Sequence, residues 1–453
     1  MLEDIIKERL KKRSQLEKAG YNPYPARVKR SSTIAEALKN FNSLAKQKKK
    51  LSLAGRIMGL RDQGSLLFAD LKDESGRIQV VVKKDNLKNF QTLKETLDIG
   101  DFIETAGTFF KTSRGEKSLE AKELNIAVKS IRPLPSTWYG LKDVEERFRR
   151  RYLDFILNPE IKEKIAKRSE IIQYLRDALA KEGFLEVETP VLQPIPGGAT
   201  ARPFVTHHNT LDADFYLRVA PELYLKRLLV GGFEKVFEIG KDFRNEGIDR
   251  DHNPEFTMME LYWAYQDYEG LIKFVEKILK KFIPGKWEKI SFSELFKKHT
   301  GKNWQDVPRD KLDEMFKKEI RLANKIQKTT FVTDYPECIM PLAKLKEENP
   351  KLTESFQLIA GTDTGAQGGP EIVKGFSEMN DPVVQRKQME EQEKLFRAGN
   401  EESSRLDEDF LEALEYGMPP AAGLGLGIDR LIAIITKSHA IKEIITFPTL
   451  RPK

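Results

Sequence analysis

Cysteine is almost absent from this chain: Cys338 is the only one in 453 residues, which excludes an internal disulfide. The five histidines show no spacing typical of metal ligands, so a structural zinc site is not expected. No apolar run is long enough to span a bilayer. The amino terminus carries Glu3 and Asp4 and lacks an apolar stretch followed by a cleavage site, so neither a signal nor a transit peptide is expected. We therefore expect a cytoplasmic protein without a membrane partner.

Positive charge is concentrated at one end of the chain. The net charge is +7, yet residues 1–50 hold 14 Lys/Arg and 5 Asp/Glu, so this arm nets +9 and the remainder nets −2. A basic helical arm on a near-neutral body favours contact with a polyanion such as a nucleic acid. A solvated surface helix is the alternative, because charge runs often lie on surfaces.

Residues 51–135 are predicted to form a small β-barrel. Apolar and polar residues alternate at period two in about five short runs, and turns such as Asp73–Gly76 separate them. The oligonucleotide-binding (OB) fold has this number of strands and this size. We therefore expect an OB-fold domain over 51–135 after the helical arm.

The rest of the chain is predicted to form a larger mixed domain. Residues 136–160 have the character of a linker that begins after Arg132–Pro135. From 161 to 453, helical periodicity alternates with strand-like runs. The Lys/Glu-rich stretch 270–350 is predicted to be a mostly helical insertion. The expected fold class is α+β.

Familiar nucleotide and nucleophile motifs are missing, whereas three other segments stand out. The sequence has no phosphate-binding loop of the Gly-x-x-x-x-Gly-Lys-Ser/Thr type and no Gly-x-Ser-x-Gly elbow. The three segments are Gly183–Leu192 with Pro196–Ala199, Phe237–Glu246 continuing to Tyr262, and Gly423–Arg430.

These segments resemble motifs one, two and three of the class II aminoacyl-tRNA synthetases. The phrases Thr206-His-His-Asn, Ala220-Pro-Glu-Leu-Tyr-Leu-Lys-Arg and Leu450-Arg-Pro narrow the resemblance to the lysyl-tRNA synthetase family. The resemblance covers nearly the whole chain. It implies a catalytic domain built on an antiparallel sheet with flanking helices, which activates lysine with ATP and transfers it to the 3′ end of a tRNA specific for lysine.

The implied first step needs positioning and charge neutralisation, because the attacking lysine carboxylate is already ionised. By resemblance Arg244 holds the α-phosphate and the carboxylate, a task suited to its planar fork. Arg430 stacks on adenine as a second catalytic cation, opposite Phe256. The remaining ATP-binding candidates are Glu246 for the adenine amino group, His252 for the terminal phosphates, and Asn253, Glu371, Gly427 and Asp429. In isolation, a core position is the better explanation of Phe256, and a surface ion pair explains Arg244 equally well.

A cationic substrate requires acidic partners, because an unpaired ammonium is costly in a dry pocket. The resemblance assigns the ε-ammonium to Glu260 and Glu378, aided by Tyr262. It assigns the α-amine to Glu222 and the backbone at Gly198. Arg244 and Lys374 complete the predicted lysine-binding set, and Lys374 stands where the family has an asparagine near the substrate carboxylate.

Magnesium is the implied cofactor, but one of its two usual glutamate ligands is replaced. Glu371 matches the second position, whereas Gln357 occupies the first and is a weaker ligand for a hard cation. The glycine-rich stretch 361–369 is inserted between them.

The small barrel resembles the anticodon-binding domain of the family. Phe68 matches an aromatic side chain that stacks on an anticodon base, with Arg61 and Gln79 as polar candidates. A position in the barrel core is the alternative for Phe68.

The expected partners are tRNA(Lys), lysine, ATP and a second copy of the chain, in a homodimer with the segment at Pro190 in its interface. Two other functions remain open. One is a lysine ligase that acts on a protein acceptor, and the other is a catalytically silent tRNA-binding relative.

Overall fold

The computed structural model describes residues 2–135, 143–400 and 402–452, and it divides into two compact units, Met1–Leu141 and Lys142–Lys453. Residues 136–142, where the linker was expected to begin, lie outside the described residues. Within the described ranges, every helix is too short or too polar to cross a membrane.

The first unit is a closed barrel with four helices among its described residues. Its helices are α1 (Leu2–Lys18), α2 (Ile34–Lys39), α3 (Phe41–Gln47) and α4 (Phe90–Thr96), and its strands are β1 (Leu51–Gln63), β2 (Leu66–Lys72), β3 (Arg77–Lys83), β4 (Phe102–Lys111) and β5 (Lys117–Val128). The strand order is β1-β2-β3-β5-β4. Along β2 the residues alternate between buried and half-buried, as one face of a barrel wall requires.

The basic amino-terminal helix packs onto this barrel. Leu16 is fully buried in the barrel's hydrophobic core cluster. Arg9 donates to the carbonyl of Ile99 at 3.0 Å and to the hydroxyl of Ser130 at 2.6 Å. Lys12 pairs with Asp98 at 2.7 Å. Part of the positive charge of the arm therefore serves contacts within the unit.

The second unit contains the remaining elements. Its helices are α5 (Val144–Arg149), α6 (Arg151–Leu157), α7 (Pro159–Lys181), α8 (Glu222–Val230), α9 (Tyr268–Leu279), α10 (Phe292–Thr300), α11 (Arg309–Phe316), α12 (Pro382–Arg397), α13 (Glu408–Glu415) and α14 (Ile428–Ile435). Its strands are β6 (Leu185–Glu186), β7 (Leu192–Gln193), β8 (Val205–His208), β9 (Ala213–Leu217), β10 (Lys235–Phe243), β11 (Glu255–Ala264), β12 (Glu288–Ser291), β13 (Thr330–Thr333), β14 (Ser355–Ile359), β15 (Glu371–Ser377) and β16 (Ala421–Gly427).

A mixed sheet organises this unit. Among the described residues it has eight strands in the order β12-β13-β14-β15-β16-β11-β10-β6, and a small sheet, β7-β9-β8, lies apart from it. Only the outer pairs β12/β13 and β10/β6 are parallel in this large sheet. The central strands are antiparallel, so the α+β class with an antiparallel core is confirmed.

One face of the large sheet is covered by α7, α9 and α14. Alternate strand residues such as Met259, Leu261 and Leu426 join these helices in one core cluster. The residues between them, including Glu260 and Tyr262, therefore point to the opposite face. That opposite face carries the candidate site.

The stretch 270–350 contains strands as well as the helices that the sequence predicts. It contains α10 and α11, but also β12 and β13, which extend the large sheet. All four residues of β13 are buried. A short strand buried in this way is hard to find in a Lys/Glu-rich sequence, because period-two alternation over four residues gives a weak signal.

Candidate functional site

Strand β16 gives the open face of the sheet a floor without side chains. Gly423, Gly425 and Gly427 alternate along it and lie opposite Tyr262, Glu260 and the backbone of Met258 on β11. A Cβ atom at Gly423 would lie 2.5 Å from Cε1 of Tyr262 and would also collide with the carboxylate of Glu378. The missing side chain is what allows these two groups to meet above the strand.

Three glutamates converge on this floor together with one lysine. Lys226 on α8 pairs with Glu222 at 2.6 Å and with Glu378 at 2.5 Å. Glu260 accepts a hydrogen bond from the hydroxyl of Tyr262 at 3.1 Å. All five side chains are buried. The pocket therefore holds more acidic than basic side chains.

Burial sets the protonation of these groups. It raises the pKa of Glu378 to about 8, because Lys226 lowers it only in part while Glu222 raises it. Burial and the neighbouring Asp242 and Glu222 raise the pKa of Glu260 well above its usual value. Although burial alone would lower the pKa of Lys226, the two glutamates raise it above its usual value. One ammonium shared by two carboxylates leaves Glu378 incompletely stabilised as an anion.

Gly198 closes one side of this cluster. Its φ of +87° favours glycine, and a Cβ atom there would lie 2.9 Å from Cβ of Glu222. Its backbone therefore approaches the base of Glu222 closely. The predicted amino-acid set of Gly198, Glu222, Glu260, Tyr262 and Glu378 is thus largely brought together.

Arg244 and Phe256 lie side by side at the next part of the open face. The guanidinium carbon of Arg244 is 5.0 Å from the ring centre of Phe256. The Nε of Arg244 is buried and has no hydrogen-bond partner in the described structure. Phe256 is only half-buried, so it is not a core residue. A guanidinium whose Nε lacks a partner, beside a half-buried ring, is suited to an anionic, aromatic ligand.

Arg430 brings a second guanidinium to the same area. Its Nη1 donates to the carbonyl of Glu371 at 3.4 Å, and its Nη2 is 3.3 Å from Nε2 of His252. Burial lowers the pKa of Arg430, and the nearby Arg321 and Arg244 act in the same direction. Several cations therefore share this part of the face, which favours a polyanionic ligand.

Asp429 and Asn253 lie beneath these arginines. The carboxylate of Asp429 accepts hydrogen bonds from Arg168 at 2.5 Å and from the amide of Thr257 at 3.0 Å. Asn253 donates to the carbonyl of Glu255 at 2.6 Å, while its buried Oδ1 lacks a partner among the described residues. Asp429 thus fixes the start of α14, whereas Asn253 keeps an acceptor for a ligand.

Glu246 lies beyond the end of β10 and is exposed. It lines a surface cavity of about 370 Å³ together with Arg202, Asn245 and Glu402. This places the predicted adenine-binding carboxylate at the rim of the open face.

Lys374 and Gln357 are direct cross-strand neighbours on β15 and β14. Lys374 also pairs with Gly425, so it belongs to the same row of the sheet as Glu260. The Oε1 of Gln357 accepts a hydrogen bond from Tyr335 at 2.9 Å. The two residues that depart from the family therefore adjoin each other.

The glycine-rich stretch 361–369 is anchored by side chains of two other segments. Asn324 accepts from the amide of Gly368 at 2.7 Å, and Arg321 donates to the carbonyl of Gly369 at 2.9 Å. Arg250 donates to the carbonyl of Gln367 at 3.0 Å. The insertion therefore has a defined position beside the cationic part of the site.

The donor set for a magnesium ion contains one carboxylate. Glu371 is half-buried, and its Oε2 lies 4.0 Å from Arg321. In the described part of the chain, no group of three or more His, Cys, Asp or Glu side chains is suited to a metal. Magnesium in nucleotide sites uses one or two carboxylates and the substrate phosphates. Glu371 fits such an ion, whereas Gln357 adds only a neutral oxygen that is already hydrogen-bonded.

On the barrel, Phe68 lies outside the core. Its neighbours Leu67 and Ala69 are buried, whereas Phe68 is half-buried. Arg61 is its cross-strand partner, with the guanidinium carbon 5.9 Å from the ring centre. Gln79 is buried and accepts from the hydroxyl of Ser118 at 3.0 Å. Phe68 and Arg61 form an accessible pair. A base can contact Gln79 only if the hydrogen bond between Gln79 and Ser118 breaks.

Sequence reasoning missed Lys226 and Arg321. Lys226 stands within the phrase Ala220–Arg227, and its spacing of four from Glu222 on a helix was an available signal. Its second partner, Glu378, is far away in sequence, so the bridge itself follows only from the fold. Arg321 comes from the stretch that was expected to be an insertion.

Comparison with known proteins agrees with this geometry. Residues 143–451 match the family described as tRNA synthetases class II (D, K and N). Residues 51–134 match the OB-fold nucleic acid binding domain. The chain therefore belongs to the class II aminoacyl-tRNA synthetases.

Curated relatives narrow this class. The lysine–tRNA ligase of Moorella thermoacetica is 43% identical to the chain, with 99% of the chain and 98% of the relative covered. That of Carboxydothermus hydrogenoformans is also 43% identical, with 100% and 99% covered. Within its class, the chain belongs to the lysine–tRNA ligase family.

Proposed function

We propose that the protein activates lysine with ATP and transfers the lysyl group to the 3′ end of tRNA(Lys) in the cytoplasm. The observation that carries this proposal is the buried cluster of Glu222, Glu260 and Glu378, with Tyr262, on the open face of a class II sheet. An acidic pocket selects a cationic amino acid, because each buried carboxylate gains a partner when an ammonium binds.

In the first step, a lysine carboxylate oxygen attacks the α-phosphorus, and the bond to pyrophosphate breaks. Arg244 holds the carboxylate and the α-phosphate together, and Arg430 and Phe256 enclose adenine. Lys374 donates to the substrate carboxylate from the row that also holds Glu260. In the second step, a ribose hydroxyl at the tRNA 3′ end attacks the lysyl carbonyl carbon and AMP leaves.

The other ATP contacts follow from their positions. Asn253 accepts through its free Oδ1, Gly427 leaves room beside Arg430, and Asp429 holds the helix that carries Arg430. His252 and Glu246 lie at the rim, where the terminal phosphates and the adenine amino group are expected. Glu371 would hold magnesium with the ATP phosphates, and the ion supplies further neutralisation of phosphate charge.

On the barrel, we propose that Phe68 and Arg61 stack on and contact an anticodon base. A half-buried aromatic ring beside a guanidinium is the arrangement that OB-folds use for unpaired bases. Gln79 supports this surface through β3 and adds a polar group close to it.

We also propose a homodimer, in which the segment at Pro190 contributes to the interface. Large apolar side chains on both sides of it, Leu185, Val191 and Leu192, are exposed in the single chain, and covering such groups favours association. Light scattering in solution should give twice the 52.1 kDa of one chain. A mass of one chain at micromolar concentration would contradict the dimer.

Glu260→Gln tests the pocket. Lysine use in the exchange of pyrophosphate into ATP should weaken by about 2–4 kcal/mol, the scale for one charged partner left unpaired. Glu255→Gln is the matched control, because Glu255 lies on the same strand but pairs with Lys241 at the surface. Equal lysine use by parent and Glu260→Gln would remove Glu260 from the pocket.

The same assay separates the other candidate functions. A silent relative would show no lysine-dependent exchange. A ligase for a protein acceptor would show exchange but would not charge tRNA(Lys), and the barrel with its half-buried Phe68 argues against that function.

A further inference from the structure

The side chain of Lys226 is fully enclosed, although the reaction proposed above gives it no task. Its exposed fraction is 0%, and the ammonium lies 5.6 Å from the ring centre of Phe376. A lysine is almost never buried to this extent unless it is paired. Its partners are Glu222, one turn earlier on α8, and Glu378, just beyond the end of β15.

We propose that Lys226 is a positioning residue for the amino-acid substrate: its ammonium ties Glu222 to Glu378 and holds both carboxyl groups in place before lysine arrives. This inference rests on the lysine pocket proposed above. The bridge joins a helix to a strand end, so it fixes the distance between the group assigned to the α-amine and the group assigned to the ε-ammonium.

Charge balance supports this role. With Glu222, Glu260 and Glu378 ionised and Lys226 protonated, the pocket carries a net charge of −2. Lysine brings two ammonium groups, and its carboxylate goes to Arg244. Without Lys226 the same three carboxylates would need one more cation than the substrate offers, and a buried carboxylate without a partner takes up a proton instead.

The direction of the pKa shifts agrees with this positioning role of Lys226. The described groups around Lys226 are Glu222 and Glu378 in direct contact, with Glu260 and Tyr262 beside them. Burial raises the pKa of Glu378 to about 8, and Lys226 is the group that lowers it. Removing the ammonium therefore raises this pKa further, so that a smaller fraction of Glu378 is ionised at neutral pH.

The test is a double-mutant cycle read by the Michaelis constants for lysine and ATP in pyrophosphate exchange. Lys226→Met should raise the constant for lysine at least about tenfold at pH 7, since each unit of pKa costs a factor of ten in ionised carboxylate. The Michaelis constant for ATP should change less than about twofold, since the ionisation of Glu378 affects binding of the amino acid and not of the nucleotide. The lysine constant of the variant should recover at higher pH, a readout that a merely structural lysine would not move.

In the background of Glu378→Gln, the same change at Lys226 should raise the Michaelis constant for lysine less than about threefold, because the carboxylate that Lys226 positions is already gone. If Lys226→Met alone does not fold, this comparison still decides. A further tenfold loss in the double variant, or an unshifted pH profile in a folded single variant, would overturn the proposal.

Lys235→Met is the matched control. Lys235 also lies over an aromatic ring, that of Trp263 at 4.6 Å, and donates to the carbonyl of Glu182 at 2.8 Å, but it touches no pocket carboxylate in the described structure. Its removal should leave the pH profile unchanged. If Glu260→Gln weakens lysine use while Lys226→Met does not, the positioning role fails and the pocket stands. If neither changes lysine use, the pocket assignment itself fails.

Discussion

Lysine binding should release a proton and tighten as pH rises, because Glu378 is partly protonated in the empty pocket. Burial raises the pKa of Glu378 to about 8. A group with a raised pKa holds its proton below that value, and only its anion pairs with an ammonium. The substrate ε-ammonium stays charged in this range, with a pKa of about 10.4.

The size of the effect follows from that pKa. If only the ionised carboxylate binds, the dissociation constant for lysine should fall about 25-fold between pH 6.5 and pH 8.5. At pH 7, about 0.9 of a proton should leave Glu378 for each lysine bound. The ionised fraction of Glu378 alone sets both numbers, so one measurement checks the other.

Isothermal titration calorimetry provides both quantities, when lysine is titrated at several pH values in buffers with different enthalpies of ionisation. Glu378→Gln is the control, because titration of free lysine affects parent and variant equally while the carboxyl proton is lost only in the parent. A dissociation constant that varies by less than threefold over this pH range would refute the reasoning. The same dependence of the dissociation constant on pH in Glu378→Gln would also refute it.

Four further predictions concern other parts of the molecule. Arg244→Ala should lower the rate of pyrophosphate exchange by about a hundredfold to a thousandfold, the usual value of one preorganised charged donor; near-normal exchange in a folded variant would exclude Arg244 from the site. Phe68→Ala should raise the Michaelis constant for tRNA by the equivalent of about 1–3 kcal/mol with lysine activation unchanged, whereas Leu67→Ala, which empties a core position, should lower the melting temperature of the barrel. Lys374→Asn should keep activity within about tenfold, since one donor replaces another, and a hundredfold gain would identify Lys374 as an obstruction. Gln357→Glu should lower the magnesium concentration for half-maximal activity, because it adds an anionic ligand; an unchanged magnesium dependence would place Gln357 outside the metal site.

The barrel could be predicted from the sequence because period-two alternation directly reports which side of a strand is buried. In the structure this alternation along β2 has Leu67 and Ala69 inside and Phe68 half-buried on the other side, whereas the sequence alone had left a core position open for Phe68. The strands in 270–350 escaped prediction because β12 and β13 have only four residues each, too few for a period to show among many lysines and glutamates.

The amino-acid pocket could be predicted only through family resemblance. Its acidic members are spread from Glu222 to Glu378, and local patterns carry no signal of contacts across such distances. The bridge by Lys226 depends on where β15 ends relative to α8, which is set by packing of the whole sheet. Charge alone would have placed Lys226 on the surface, the usual location of lysine.

Strand β16 makes the size of the accepted amino acid a matter of single backbone positions. At Gly423 a methyl group would strike the ring of Tyr262, whereas at Gly425 it would lie 3.0 Å from the mobile Cε of Met258 and 3.8 Å from Cγ of Glu260. The two glycines therefore differ in tolerance: an added methyl group at 425 needs only a small shift of the flexible Met258 side chain and would lie beside Glu260. Engineers who want this ligase to accept shorter diamino acids, with the same acidic end, have a graded control in that strand.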